Sequence, residues 1–328
     1  MITPADFITV PYTPDMTRGG IAYACKSLHY TYNRMGSSAF KRLRRIAAGI
    51  AVELAFRRYL TQERIPHGNL GATPFTDPDK YDIEIGGRRC DIKSFIFSYK
   101  KRIRLIHNEP GCLLDAAALV PVDQIASAHL YDKDLYIFAF LTALFTPNQH
   151  KLQKAIRANQ PIYLIHSLPE KWARRKNMTP LGKLVLKSAA SQSIEVKLGG
   201  QNHQQTAISE QVILKPEERV TVEKEFCSLH YLHTPTLPDG PVGVHSPILK
   251  ETHVIAPIEW GNIWVYGLRI IFTGYMTRGE FRQRAKNLSA GSRVFQYPRT
   301  RTDNLSLPIS ELHSLTKLFE KAKTWRKS

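Results

Sequence analysis

Residues 81–97 read Tyr81-Asp82-Ile83-Glu84-Ile85-Gly86-Gly87-Arg88-Arg89-Cys90-Asp91-Ile92-Lys93-Ser94-Phe95-Ile96-Phe97. The alternation over 81–85 predicts a half-buried strand, and Gly86-Gly87 is a two-residue hairpin signal. Arg88 to Phe97 is expected to return as the partner strand. In a strand, residues two apart share a face and lie about 6.5–7 Å apart. Asp91 and Lys93 therefore point the same way, and Asp82, across the short turn, can reach the same spot. Two carboxylates converging on one point repel unless a cation sits between them, and oxygen ligands favour Mg²⁺. A lysine beside such an ion can orient or deprotonate a water and stabilise charge on a phosphate. These are the parts that metal-assisted phosphodiester hydrolysis requires.

Working outward, Ser37-Ser38 can cap a helix running to about Tyr59. Phe40, Leu43, Ile46, Ala47, Ile50 and Leu54 follow three- and four-residue steps, with Lys41, Arg42, Arg44 and Arg45 on other faces. Glu53 and Arg57 lie one turn apart on it. Downstream, 121–128 reads as a short helix, Asp134 to Phe145 as a buried strand, Asn148 to Ala158 as a helix and Pro161 to His166 as a strand. Helix, hairpin, strand, helix, strand is the order of an α/β core with a mixed sheet.

Asp82…Asp91-Ile92-Lys93 resembles the core motif of the PD-(D/E)xK nuclease superfamily. The resemblance implies a restriction-endonuclease-like fold, a mixed sheet flanked by helices, over roughly Ser37 to His166. It also implies that Asp82, Asp91 and the Ile92 carbonyl bind Mg²⁺, with Mn²⁺ able to substitute, and that Lys93 acts on the water. Many members supply a further acid from the preceding helix, where Glu53 stands; its other reading is a solvated or Arg57-paired glutamate. Glu84 shares a face with Asp82 and is a substitute ligand. Tyr81 rather than proline precedes Asp82, a departure from the pattern. Taken without the resemblance, Asp82, Asp91 and Lys93 read as a cross-strand ion cluster worth little energetically. Glu195-Val196-Lys197 is a rival acid-x-Lys, but between Asp134 and Glu195 the only carboxylate is Glu170, so no first acid precedes it on a paired strand.

The whole chain has 46 Lys and Arg against 28 Asp and Glu, a net charge of +18, which fits a polyanionic partner, with DNA the first expectation. At 43% hydrophobic and 10% aromatic residues it buries a core, which excludes collagen-like and wholly disordered classes. No apolar run approaches the length of a membrane helix, no secretory signal is visible, and four scattered cysteines form no disulfide framework. A cytoplasmic protein without membrane attachment is expected. Basic clusters at Lys100-Lys101-Arg102, directly after the motif strand, and around Arg278, Arg282 and Arg284 are candidate phosphate contacts. Cys227-x₂-His230-x₂-His233 invites a zinc reading but lacks an evident fourth ligand.

Composition divides the chain into a turn-rich arm (1–36), a domain over 37–170 that the resemblance implies is nuclease-like, and a basic, β-rich C-terminal region (171–328) expected to bind nucleic acid. Within the last, 235–247 reads as a Pro- and Gly-rich loop and 309–325 as a helix. The reading is a Mg²⁺-dependent DNA endonuclease of restriction, defence or mobile-element processing, cutting duplexes as a homodimer. The alternatives are a non-catalytic DNA-binding protein with a nuclease-like fold, or a nuclease acting on RNA or branched DNA.

Overall fold

The computed structural model describes residues 1–31, 39–68, 83–125, 131–146, 148–158, 164–173, 178–262, 264 and 266–325. In chain order, β1 (Ile8–Pro11) and α1 (Pro14–Thr31) precede the long helix α2 (Ala39–Gln62). Then come β2 (His67–Gly68), β3 (Ile83–Ile85), β4 (Arg88–Phe97), α3 (Lys100–Asn108), β5 (Ala117–Pro121), one-turn α4 (Val122–Ile125) and β6 (Leu135–Leu144). α5 (Gln149–Arg157), β7 (Leu164–Ser167) and α6 (Glu170–Ala173) lead into β8 (Val185–Ser188), β9 (Ile194–Gln201), β10 (Ala207–Leu214) and β11 (Arg219–Thr221). β12 (Ser228–Thr234), β13 (Val242–Ser246), β14 (Glu251–Ile255) and β15 (Gly261–Asn262) follow. β16 (Tyr266–Thr277), α7 (Arg278–Arg284), β17 (Lys286–Leu288), β18 (Asn304–Pro308) and α8 (Leu315–Trp325) complete the order.

Two compact units form, and they do not follow the linear division expected from composition. The first takes Met1–Met16, Ala48–Leu144 and Gly267–Ser328; the second takes Thr17–Ala47 and Phe145–Tyr266. The chain leaves the first unit after β6 and returns at β16, because β16 is hydrogen-bonded between β1 and β6. β16, expected within a separate C-terminal region, therefore completes the sheet that carries Asp91 and Lys93.

The first unit is mixed α/β, with a six-stranded sheet in the order β1-β16-β6-β4-β3-β2 and a three-stranded sheet β17-β18-β5. The hairpin is present as read: β3 and β4 are antiparallel about Gly86 and Gly87, whose φ of 55° and 77° are the left-handed values glycine adopts freely. β6 runs parallel to β4, with Asp91 opposite Tyr136, Lys93 opposite Phe138 and Phe95 opposite Phe140. A central parallel strand is covered on both faces, which explains why β6 is buried at every residue but its last. One face of β4 joins Phe95 and Phe97 to Phe138, Phe140, Phe281 and the buried Ile103 and Ile106 of α3. The other face, with Cys90 and Ser94, meets α2: a Cβ on Gly49 would stand 4.0 Å from Ser94 Oγ.

The turn-rich arm is in fact largely helical. Pro14 opens α1 at the one helical position that tolerates a missing N–H. Gly20, read as a turn residue, instead permits close packing: a Cβ there would lie 2.4 Å from the Ala47 carbonyl oxygen of α2. Likewise the expected loop over 235–247 contains β13, whose buried Val242 and Val244 alternate with half-buried Gly243 and His245.

The second unit is strand-rich, with sheets ordered β10-β9-β12-β7-β15 and β11-β8-β13-β14. His166 on β7 and His253 on β14 join the two sheets through Nε2 atoms 2.9 Å apart. His166 Nδ1 faces the Glu259 carbonyl oxygen at 3.2 Å, so it donates there, and Nε2 accepts from His253. Burial pushes both imidazoles below their ordinary range; on His253 the charge of His166 and Lys171 adds to this, while Glu259 and Glu251 oppose it. A folded pKa below the unfolded value gives stability that is complete above the ordinary imidazole pKa and is lost as pH falls through it toward the folded values. The thermal midpoint should therefore drop on acidification across about pH 6.5, and His253→Gln should flatten that slope. An unchanged slope in the variant would show that the pair does not carry the effect.

Candidate functional site

β4 alternation sets Asp91 and Lys93 on one face, as the sequence requires, and they meet directly: Lys93 Nζ lies 2.6 Å from Asp91 Oδ2. Both side chains are largely covered, with 13% and 22% of their surfaces exposed, so the pair is screened less than a surface ion pair. Lys93 also donates to Gln124 Oε1 of α4 at 2.7 Å, and its ammonium stands 5.7 Å from the centre of the Tyr136 ring. A cation is thus held between a carboxylate, an amide oxygen and an aromatic face.

Tyr136 lies opposite Asp91 in the parallel pairing. Its hydroxyl is buried and has no hydrogen-bond partner among the described residues. Burial, reinforced by the Asp91 charge, pushes its pKa up to about 12. The phenol therefore stays protonated through the working pH range and is a donor beside the Asp91–Lys93 pair. Leaving such a group unpaired costs about 1–3 kcal/mol, which is the kind of local penalty found where a side chain serves chemistry.

Asp82 lies outside the described residues; the described hairpin pairing ends at Ile83 opposite Cys90, one residue short of Asp91. Glu84 pairs in register with Arg89, two residues from Asp91 and on the same face. Glu53 stands on α2 and contacts Arg57 at 4.0 Å. No three His, Cys, Asp or Glu side chains converge as a metal-binding group among the described residues. What these residues offer an ion is the Asp91 carboxylate and the Ile92 carbonyl, both hard oxygen donors of the type Mg²⁺ takes; a second carboxylate is the part Asp82 would add.

No family model, curated protein or solved structure matches this chain. The site therefore stands on its own geometry.

The basic clusters divide sharply. Lys100 and Lys101 open α3 exposed, with Arg104 exposed a turn later. Arg102 instead lies over the Phe295 ring, 4.1 Å from its centre. Arg278, expected at a nucleic-acid surface, is 5% exposed and donates to the Ile125 carbonyl, so it is an interior residue near Tyr136. Arg282 pairs with Asp132 at 3.0 Å, and Arg284 with Glu280 at 3.0 Å and Glu311 at 2.9 Å. One local acid, Glu280, and two distant in sequence, Asp132 and Glu311, neutralise them.

The zinc reading finds no convergent set among the described residues. Cys227 is buried, His230 sits where the β12 register shifts and shares a 2.8 Å hydrogen bond with the Ser228 hydroxyl, and burial pushes the His233 imidazole below its ordinary range. Glu195 is exposed on β9 opposite Ile213, in the second unit. Sequence reading did not single out Gln124 or Tyr136; the parallel strand opposite Asp91 was the only signal for the latter.

Proposed function

We propose that this chain is a Mg²⁺-dependent DNA endonuclease on a restriction-endonuclease-like core, acting in the cytoplasm in restriction, defence or mobile-element processing. The observation that carries the reading is the Asp91–Lys93 pair on one face of β4, behind a Gly86-Gly87 hairpin and parallel to buried β6. The element order α2, hairpin, β4, α3, β6 supports it, since that is the order the motif requires.

Asp82, Asp91 and the Ile92 carbonyl would hold the ion. Bound Mg²⁺ supplies charge stabilisation on the phosphate and a water of lowered pKa. Lys93, fixed by Asp91 and Gln124, orients the attacking water and stabilises charge on the phosphate, and Tyr136 donates toward the same locus. The second reading is a DNA-binding protein without catalysis, in which Asp91 and Lys93 are an ion pair alone.

Incubation with plasmid, branched DNA and RNA separates them. Hydrolysis should require Mg²⁺ or Mn²⁺, with Ca²⁺ supporting binding and little turnover. Binding without cleavage of any substrate under all three ions would establish the second reading. One such site cuts one strand, so double-strand cutting calls for a symmetric pair of chains. Excess Lys93→Ala protein mixed with wild type should then convert breaks into nicks.

A further inference from the structure

A cleft of about 410 Å³ lies in the first unit at the hairpin end of β4. Three cations line it: Arg88, the first residue of β4, and Lys317 and Lys321 of α8. Lys317 and Lys321 are one helical turn apart and exposed, an arrangement of like charges that weakens a helix unless an anion lies between them. Neither is in an ion pair among the described residues; Lys317 acts on Asp6 only at longer range. The one carboxylate in the wall, Glu280, is already engaged by Arg284 at 3.0 Å and His313 at 2.8 Å, so it does not balance the lysines.

The cleft is built rather than incidental. The Arg88 guanidinium is seated over the Trp325 ring, 4.0 Å from its centre, which holds the planar fork in place. Trp325 in turn rests on the hairpin: a Cβ on Gly86 would come within 2.5 Å of its ring. Tyr275 forms a second aromatic wall. Arginine and lysine around an aromatic-sided space of this size match a phosphate carried on a nucleotide.

We propose that this cleft is a phosphate-binding site for a nucleotide, free or within a strand. Arg88 is three residues from Asp91, about 10 Å along the strand and on the opposite face. The cleft is therefore distinct from the Asp91–Lys93 centre and does not depend on hydrolysis there.

Titration calorimetry on the full chain tests this with inorganic phosphate, a 5′-mononucleotide, and an oligonucleotide with or without a 5′-phosphate. Phosphate and mononucleotide should bind wild type, and Lys317→Ala/Lys321→Ala should weaken both by about tenfold or more, as loss of charge-assisted contacts predicts. Lys323→Ala, exposed on the same helix, should bind as wild type does. Tighter binding of the 5′-phosphorylated oligonucleotide than of the mononucleotide would assign the ligand to a strand end; equal binding would assign it to a free nucleotide. Affinities unchanged in the double variant, with an unaltered circular dichroism spectrum, would overturn the proposal. So would an equal loss in Lys323→Ala, which would mark diffuse charge instead of a site.

Discussion

Asp91→Asn and Lys93→Ala should each lower cleavage by about 10²–10⁴-fold, the range for removing a group that moves a proton or stabilises developing charge. Neither should unfold the protein. Removing one partner of a largely covered pair costs more than the ~1 kcal/mol of an exposed one, but the aromatic core of β4 and β6 is untouched by the change. Gln124→Ala should cost activity less, because Lys93 keeps Asp91 as a partner. Tyr136→Phe is the more telling variant. Removing an orphaned buried hydroxyl should hold or raise the thermal midpoint, while losing a donor beside the site should lower the rate. A purely structural role predicts the first without the second. Glu195→Gln, on an exposed strand position of the second unit, should cut normally. Full activity in the Asp91 and Lys93 variants would sink the site.

What the sequence made legible was local. Two glycines between alternating runs specify the β3–β4 hairpin, and strand periodicity alone puts Asp91 beside Lys93. The apolar run 135–144 announces a buried strand. What escaped was non-local. Nothing near Tyr266–Thr277 says that it will slot between β1 and β6, more than a hundred residues earlier, so the domain division drawn from composition differs from the compact units. Gly20 looks like a turn residue until the Ala47 carbonyl is beside it. Gln124 lies on the short helix expected over 121–128, but nothing in that run marks it as the partner of Lys93. The run from Arg278 onward reads as one basic surface, yet Asp132, Glu280, Glu311 and the Ile125 carbonyl absorb its arginines. Conversely, Arg88, Lys317 and Lys321 are unremarkable in the sequence and meet only in the folded unit.

That redistribution of charge fixes how nucleic-acid binding should respond to salt. Each phosphate neutralised by a cation releases condensed counterions, so log K falls against log salt with a slope near −0.9 per contact on duplex DNA. A protein making about six contacts should lose roughly three decades of affinity between about 50 and 200 mM salt. A net charge of +18 makes contacts of that number available, but the structure says which cations can make them. Lys100 and Lys101 are exposed at the start of α3, with no ion pair among the described residues. Arg282 and Arg284 already hold carboxylates and would have to surrender them. Lys100→Ala/Lys101→Ala should therefore reduce the slope by about 1.8, two contacts' worth, whereas Arg282→Ala should leave it where it was. Measured by fluorescence anisotropy on one duplex across a salt series, a slope that drops equally in both variants would mean that affinity follows total charge. A salt-insensitive affinity would mean that electrostatic contact with phosphates does not drive binding at all. A drop confined to the lysine variant would place the polyanion along the α3 side of the first unit, on the face of the sheet that also carries Asp91 and Lys93.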